Sequence, residues 1–239
     1  MTTTVRGPIA IDGDAASGKT TVGRELARRF GFTVLDTGRM YRAFTLAAQR
    51  AGIAPDDAQG CAELAARLDM AVSPGPNETR IALDGADVSD LLDAPVVEAS
   101  VSAYAKIAAV RAKLVARQRA LAVGGALVVI GRDIGTVVLP DAPAKLFLVA
   151  AQDVQAARRA SQNGLTVEAA RANVALRNTT DRTRTTSPTA KAPDAHEIDT
   201  SFVGVAAVVA EALAFVEARL GGGADGGREL PYRARTFPG

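Results

Sequence analysis

Apolar and polar positions alternate along the chain in two periods, and the change of period marks the elements. Pro8-Ile9-Ala10-Ile11-Asp12 is a short apolar run that stops at a Gly-rich turn, the pattern of a buried strand. Beyond the turn, Val22, Leu26 and Phe30 share one helical face, and Gly31 stands where a helix ends. Thr33-Val34-Leu35 predicts a second strand, and Tyr41 to Ala51 a helix closed by Gly52. Ile107, Val110, Leu114 and Leu121 mark a long helix. Ala126 to Ile130 and Lys145 to Val149 are two more buried strands, and His196 to Asp199 is a fainter last one. Val205, Val208, Leu213, Val216 and Leu220 predict a terminal amphipathic helix, after which a Gly-rich tail is expected to fray. There are no internal repeats.

Two stretches break this rhythm. From about 54 to 100, Pro55, Ser73-Pro74-Gly75-Pro76-Asn77 and Asp84-Gly85 are turn chemistry around a short helix and the alternating run Thr79 to Leu83. The expectation is an insert with a small hairpin. Residues 152 to 185 are polar, Arg-rich and helical, interrupted at Gly164. Strands separated by helices predict βαβ units with right-handed crossovers around a parallel sheet.

Composition narrows the class. The chain has 239 residues, 48% apolar and 23% charged, which suits one globular α/β domain with insertions. A net charge of +2 gives no electrostatic case for nucleic acid or a membrane surface. Among 28 basic residues the lysines are Lys19, Lys106, Lys113, Lys145 and Lys191, so the rest are arginines, whose forks match phosphate and carboxylate. GC-rich coding accounts for much of that bias. A single cysteine, Cys61, excludes an intrachain disulfide and fits a reducing cytoplasm. Its helical setting reads as a small core residue. The lone His196 excludes zinc sites built on a His pair and argues against a Ser-His-Asp triad. No signal peptide and no membrane-length apolar run stands out.

The candidate chemistry starts at Gly13-Asp14-Ala15-Ala16-Ser17-Gly18-Lys19-Thr20, which satisfies G-x-x-x-x-G-K-[ST] in full and joins a predicted strand to a predicted helix. Successive backbone N–H groups in such a loop can surround a phosphate at the positive end of the following helix. Lys19 can reach the β- and γ-phosphates, and the Thr20 hydroxyl can ligate Mg²⁺. A nucleoside triphosphate follows, with ATP favoured because no Asn-Lys-x-Asp guanine signature is present. The acceptor is left open by this motif.

Four segments together resemble the bacterial cytidylate kinases, a family of nucleoside monophosphate kinases. They are Ile11-Asp12-Gly13 with the phosphate loop, Leu35 to Arg42, Gly131 to Pro143, and Asp181-Arg182-Thr183-Arg184, in matching order across about residues 6 to 218. The third is the most specific. A tight turn explains Gly131 and Gly135 but not Arg132-Asp133 between them. The resemblance implies a three-layer αβα fold on a five-stranded parallel sheet. It also implies a nucleotide-binding insert over 54–100, a lid over 152–185, and transfer of the ATP γ-phosphate to CMP or dCMP.

Carried over by position, Ser102, Arg111 and Asp133 read cytosine. Asp133 would accept from the N4 amino group while Arg111 and Ser102 donate to the ring acceptors. Arg42 and Arg132 resemble clamps on the acceptor phosphate, and Thr37 is also expected to bind the substrate. Arg177 and Asp181 fall where the family holds ribose hydroxyls, and Arg184 where a lid arginine reaches the acceptor. Arg158 and Arg159 fall where ATP phosphates would lie, and Thr21 continues the phosphate loop. Lys19, Arg132 and Arg184 are thus the expected catalytic set, with ATP and Mg²⁺ as donor and metal. The family suggests a cytoplasmic monomer acting on small molecules, with no nucleic acid or membrane partner. Another P-loop small-molecule kinase, or an ATP-binding paralogue with a regulatory role, is the alternative.

Three positions depart from the family pattern. Asp14 replaces the usual Pro, and its carboxylate should repel phosphate unless it points away or meets an arginine. Ile130 stands where an acid is usual, leaving Thr20, water and Asp36 for the metal, so that Ile130→Asp should tighten Mg²⁺. Asn178 replaces an Asp in the lid, which predicts a looser network there.

Overall fold

The computed structural model describes residues 7–221, so the Gly-rich tail expected to fray lies outside the described residues. Strands β1 (Ile9–Gly13), β2 (Thr33–Asp36), β6 (Leu127–Ile130), β7 (Ala144–Val149) and β8 (His196–Asp199) form one parallel sheet in the order β2-β6-β1-β7-β8. The expected five-stranded parallel sheet is present, with each strand within a residue or two of its predicted place.

Alternation along the strands builds two cores. Ile9 and Ile11 of β1, with Val128 and Ile130 of β6, face Val22 and Leu26 of α1 (Lys19–Phe30) and Val208, Ala212 and Val216 of α8 (Val205–Gly221). Ala10 and Val129 point the other way, toward Met40 and Phe44 of α2 (Thr37–Arg50) and Val110 and Leu114 of α5 (Ala108–Ala122). These side chains are almost wholly buried, and each Ile or Leu contributes roughly 1.5–3 kcal/mol of transfer free energy. The result is helix, sheet and helix in three layers.

The region from 54 to 100 holds α3 (Ala58–Arg67) and an antiparallel sheet of β3 (Met70–Pro74), β4 (Thr79–Leu83) and β5 (Ala86–Asp87). Thr79, Ile81 and Leu83 are buried while Arg80 is exposed, the period of two that predicted the hairpin. This sheet is stitched to the main one: Val34 N donates to Gly75 O at 2.8 Å, and Asp36 N to Thr79 Oγ1 at 2.8 Å. Cys61 is fully buried in the α2–α5 core, as a small apolar residue.

Two elements differ from the sequence reading. Helix α2 begins at Thr37 rather than Tyr41, because the Asp36 side chain caps it by accepting from Gly38 N at 3.0 Å. A further helix, α4 (Pro95–Ala105), runs through the end of the insert. The Arg-rich stretch forms α6 (Gln152–Asn163) and α7 (Val167–Arg182), packed on each other and separated at Gly164, whose φ of 63° ends α6. Among the described residues no helix is long and apolar enough to cross a membrane.

Register decides where the chemistry sits. Ile11 pairs with Ile130 and Leu146, and Asp36 with Ile130, so the C-terminal ends of β1, β2, β6 and β7 share one edge. The phosphate loop, the start of α2, the Arg132-Asp133 turn and the entry to α6 all leave from it.

Candidate active site

The phosphate loop leaves β1 at Gly13, whose φ is 142° and where a Cβ would lie 2.1 Å from Leu148 O; only glycine fits. Gly18, at φ 93°, sets the start of α1 and aims its amide end back into the loop. Ser17 Oγ donates to Asp14 O at 3.0 Å, tightening the turn. Lys19 Nζ donates to Asp14 O and lies 3.3 Å from Ser17 Oγ. Burial, with Arg132 and Arg177 beside it, holds its ammonium well below the ordinary lysine range.

The opposite wall is fixed through Asp12. Its buried carboxylate accepts from Ile134 N and Gly135 N at 2.7 Å each, anchoring a π-helical turn (Ile134–Val138) just beyond Arg132-Asp133. Burial, with a smaller push from Asp133, raises this carboxyl to about 7 against the pull of the two amides and Lys19. Arg132 then spans the cleft floor, donating from Nη1 to Gly13 O at 2.5 Å and pairing through Nε with Asp181 at 3.0 Å. Thr37 Oγ1 donates to Ile130 O at 2.9 Å, so the start of α2 is tied to the end of β6.

Deeper in, Arg111 of α5 pairs with Asp133, both almost fully buried, and its guanidinium lies 5.5 Å from the centre of the Tyr41 ring. Burial raises the Asp133 carboxyl while Arg111 and Arg184 lower it. Ser102 of α4 lines the same space. Asp181 faces Arg132 on one oxygen and Arg184, 3.8 Å away, on the other.

Helices α6 and α7 close over the edge. Arg182 meets Asp14, and Asn178 Oδ1 accepts from Ala15 N at 3.0 Å. Glu98 of α4 faces Arg42 of α2, Arg159 of α6 and Arg177 of α7. Burial and neighbouring arginines bring Arg177 down to about 9 and Arg159 to about 10.

A sequence profile of the cytidylate kinase family matches residues 9–218. This chain belongs to the cytidylate kinase family. It is 48% identical over 207 residues to the cytidylate kinase of Mycolicibacterium paratuberculosis, covering 84% of this chain and 91% of the relative. It is 42% identical over 209 residues to that of Limosilactobacillus reuteri, covering 85% and 92%. Over 218 residues it is 41% identical to that of Geobacillus kaustophilus, covering 89% and 97%. Among solved structures, an uncharacterized protein from Eubacterium ventriosum overlays with a TM-score of 0.52 at 13% identity, covering 90% of this chain and 100% of that one, a likeness of fold alone.

One cleft in this cytidylate kinase-family chain gathers nearly all of the residues singled out from sequence. Ala15 to Thr21, Thr37, Arg42, Ser102, Arg111, Arg132, Asp133, Arg159, Arg177, Asp181 and Arg184 line it. Gly13, Asp14 and Arg158 do not. Gly13 turns the chain beneath the loop, and the Asp14 side chain faces Arg182. Arg158 is held outside by Thr200, through Oγ1 at 2.9 Å and the carbonyl at 2.6 Å, and by Ala16 O at 3.3 Å. Ile130 reaches the cleft wall, but its side chain runs under α1, where a Cβ on Gly23 would come 2.6 Å from its Cδ1. Tyr41, Glu98 and Arg182 escaped the sequence reading. Tyr41 and Arg182 lie inside two of the four family-like segments and could have been found there; Glu98 meets partners distant in sequence and carries no local signal.

Proposed function

We propose that this chain transfers the γ-phosphate of ATP to CMP or dCMP, giving ADP and CDP or dCDP. The observation that carries the reading is that one cleft holds both a phosphate loop and, across from it, the buried Arg111–Asp133 pair with Ser102. Cytosine offers an N4 donor beside N3 and O2 acceptors. Asp133 accepts from the former while Arg111 and Ser102 donate to the latter. Uracil would set a carbonyl against the carboxylate, and an unpaired buried polar group costs about 1–3 kcal/mol.

The attacking oxygen belongs to a phosphate already ionised at neutral pH, so no general base is required. The chain's task is alignment and charge neutralisation. The loop amides and Lys19 hold the donor phosphates. Arg42 and Arg132 hold the acceptor phosphate, Arg177 and Asp181 take the ribose hydroxyls, and Arg184 reaches the transferring group from just beyond the end of α7. Asp181 has a further role: by pairing with both Arg132 and Arg184 it sets the angle between two cationic side chains.

The oxygen donors near the loop are the Thr20 hydroxyl and the Asp36 carboxylate, a set that suits a hard cation carried mainly on phosphate oxygens and water. Mg²⁺ held there would neutralise phosphate charge. In this reading residues 54–100 form the nucleotide-binding insert, and 152–185 a lid whose closure excludes water, the competing acceptor. The enzyme works as a cytoplasmic monomer on small molecules alone.

An ADP-release assay with ATP, Mg²⁺ and CMP, dCMP, UMP, AMP, GMP or shikimate tests the reading. Turnover confined to CMP and dCMP supports it. Preference for another acceptor, or ATP binding with no turnover on any of them, overturns it.

A further inference from the structure

Glu98 stands one layer behind the cleft. It lies in the first turn of α4, its side chain is 6% exposed, and it does not itself line the cleft. Its Oε1 faces three guanidinium groups: Arg177 at 3.0 Å, Arg42 at 3.9 Å, and Arg159 in direct contact. Its Oε2 accepts from Asn163 Nδ2 at 2.7 Å. The partners come from three other helices, α2, α6 and α7, and the three arginines do line the cleft.

Cations so close repel one another, and burial removes the water that would screen them. A carboxylate behind them offsets that repulsion and leaves their outer faces directed into the cleft. Asn163 fixes which way the carboxylate turns, so a single acid sets three guanidinium positions at once.

We propose that Glu98 is a positioning residue for the acceptor nucleotide, holding Arg42 for its phosphate and Arg177 for its ribose, with Arg159 beside them, in one preassembled site while tying α6 and α7 to α4. The proposal rests on reading this cleft as a CMP site. A nucleotide entering a preassembled cluster need not order three long side chains as it binds, and that saving is the source of the affinity.

Glu98→Gln preserves shape and removes the charge. The expected result is a KM for CMP raised about tenfold or more, the scale for losing a charged hydrogen-bond partner. The KM for ATP stays within about twofold and kcat falls by less than KM rises. Affinity for cytidine, which keeps the ribose but has no phosphate, falls by less than affinity for CMP, and Glu98→Asp recovers part of the loss. Asn163→Ala, at a more exposed position, shifts CMP in the same direction by less and serves if Glu98→Gln does not fold. A Glu98→Gln enzyme with an unchanged or lower KM for CMP overturns the proposal. So does a variant in which ATP, CMP and cytidine affinities fall together with thermal stability, which marks Glu98 as packing. Wild-type protein inactive on CMP refutes the reading of the cleft itself; active wild type with a silent variant refutes only the role of Glu98.

Discussion

Arg182, in the last turn of α7, donates from Nε and Nη2 to the two carboxylate oxygens of Asp14, at 3.2 and 2.5 Å, and so joins α7 to the phosphate loop. One turn earlier on the same helix face, Asn178 accepts from Ala15 N and donates from Nδ2 to Gln155 Oε1 at 2.8 Å. The amide uses both of its ends, which a carboxylate could not do. The charge at position 14, which read as a repulsive element beside an anion cradle, is answered by an arginine 168 residues further along the chain.

Arg182→Ala leaves the Asp14 carboxylate, 5% exposed, without its guanidinium. The donor phosphates should suffer most. We expect the KM for ATP to rise roughly fivefold with a smaller change for CMP, and the Asp14→Ala, Arg182→Ala double variant to recover most of the loss, as coupled neighbours do. Because Arg182 is 55% exposed, added salt should shrink the difference. Steady-state kinetics of the three variants decide it, and an Arg182→Ala enzyme with wild-type ATP kinetics defeats the idea.

Asp133 is buried against Arg111 and faces the proposed base site. Asp133→Ala should reduce the ratio of kcat/KM for CMP over UMP by at least about tenfold, the order expected when one buried polar contact discriminates between two bases. Competing the two nucleotides in one reaction measures that ratio directly. A variant equally slow on both, with the ratio kept, would assign Asp133 to holding Arg111 rather than to reading the base.

Sequence alone suggested that an acid at position 130 would serve the metal. The structure gives that side chain a different neighbourhood. Ile130 is 2% exposed and packs under α1 against Gly23, with Ile11, Val22 and Leu26 in the same core. Ile130→Asp therefore buries a carboxylate among apolar side chains and deletes packing atoms. The expected outcome is a loss of about 3 kcal/mol in a urea melt. Unchanged stability together with a lower Mg²⁺ requirement would restore the earlier expectation.

What could be read in the sequence follows from what is local. The phosphate loop is contiguous, and its strand and helix carry periods of two and 3.6 on either side, so both motif and context were visible. Helix α4 was not. It carries Val96 exposed and Val97 and Val101 buried on a short apolar surface without a clear stripe, after a stretch dense in turn residues. The start of α2 was misplaced for a smaller reason, since Asp36 acts at once as the end of β2 and as a cap. Glu98 and Arg182 depend on helices that meet only in the folded chain. Arg-rich composition announced that charges gather, but not which acids would sort them.

Asp12 offers a test through pH. Burial raises its carboxyl from 3.8 to about 7, and Asp133 adds to the effect, while Gly135 N, Ile134 N and Lys19 act the other way. A folded-state value above the unfolded one means that the native chain keeps a proton that the unfolded chain has released. Asp12 therefore contributes stability that is complete below about pH 4 and is lost as pH rises through about 7. Asp12→Asn removes this titration but keeps one acceptor oxygen for the turn that follows Arg132 and Asp133. Urea midpoints of wild type and Asp12→Asn from pH 4 to 8 separate Asp12 from every other titrating group, because those groups are common to both proteins. The wild type should lose ground to the variant as pH rises from about 4 to about 7 and then run parallel to it. A difference that stays flat over the whole range would mean that Asp12 is ionised throughout, with the two amide donors outweighing burial, and that the turn following Arg132 and Asp133 is held by a permanent charge.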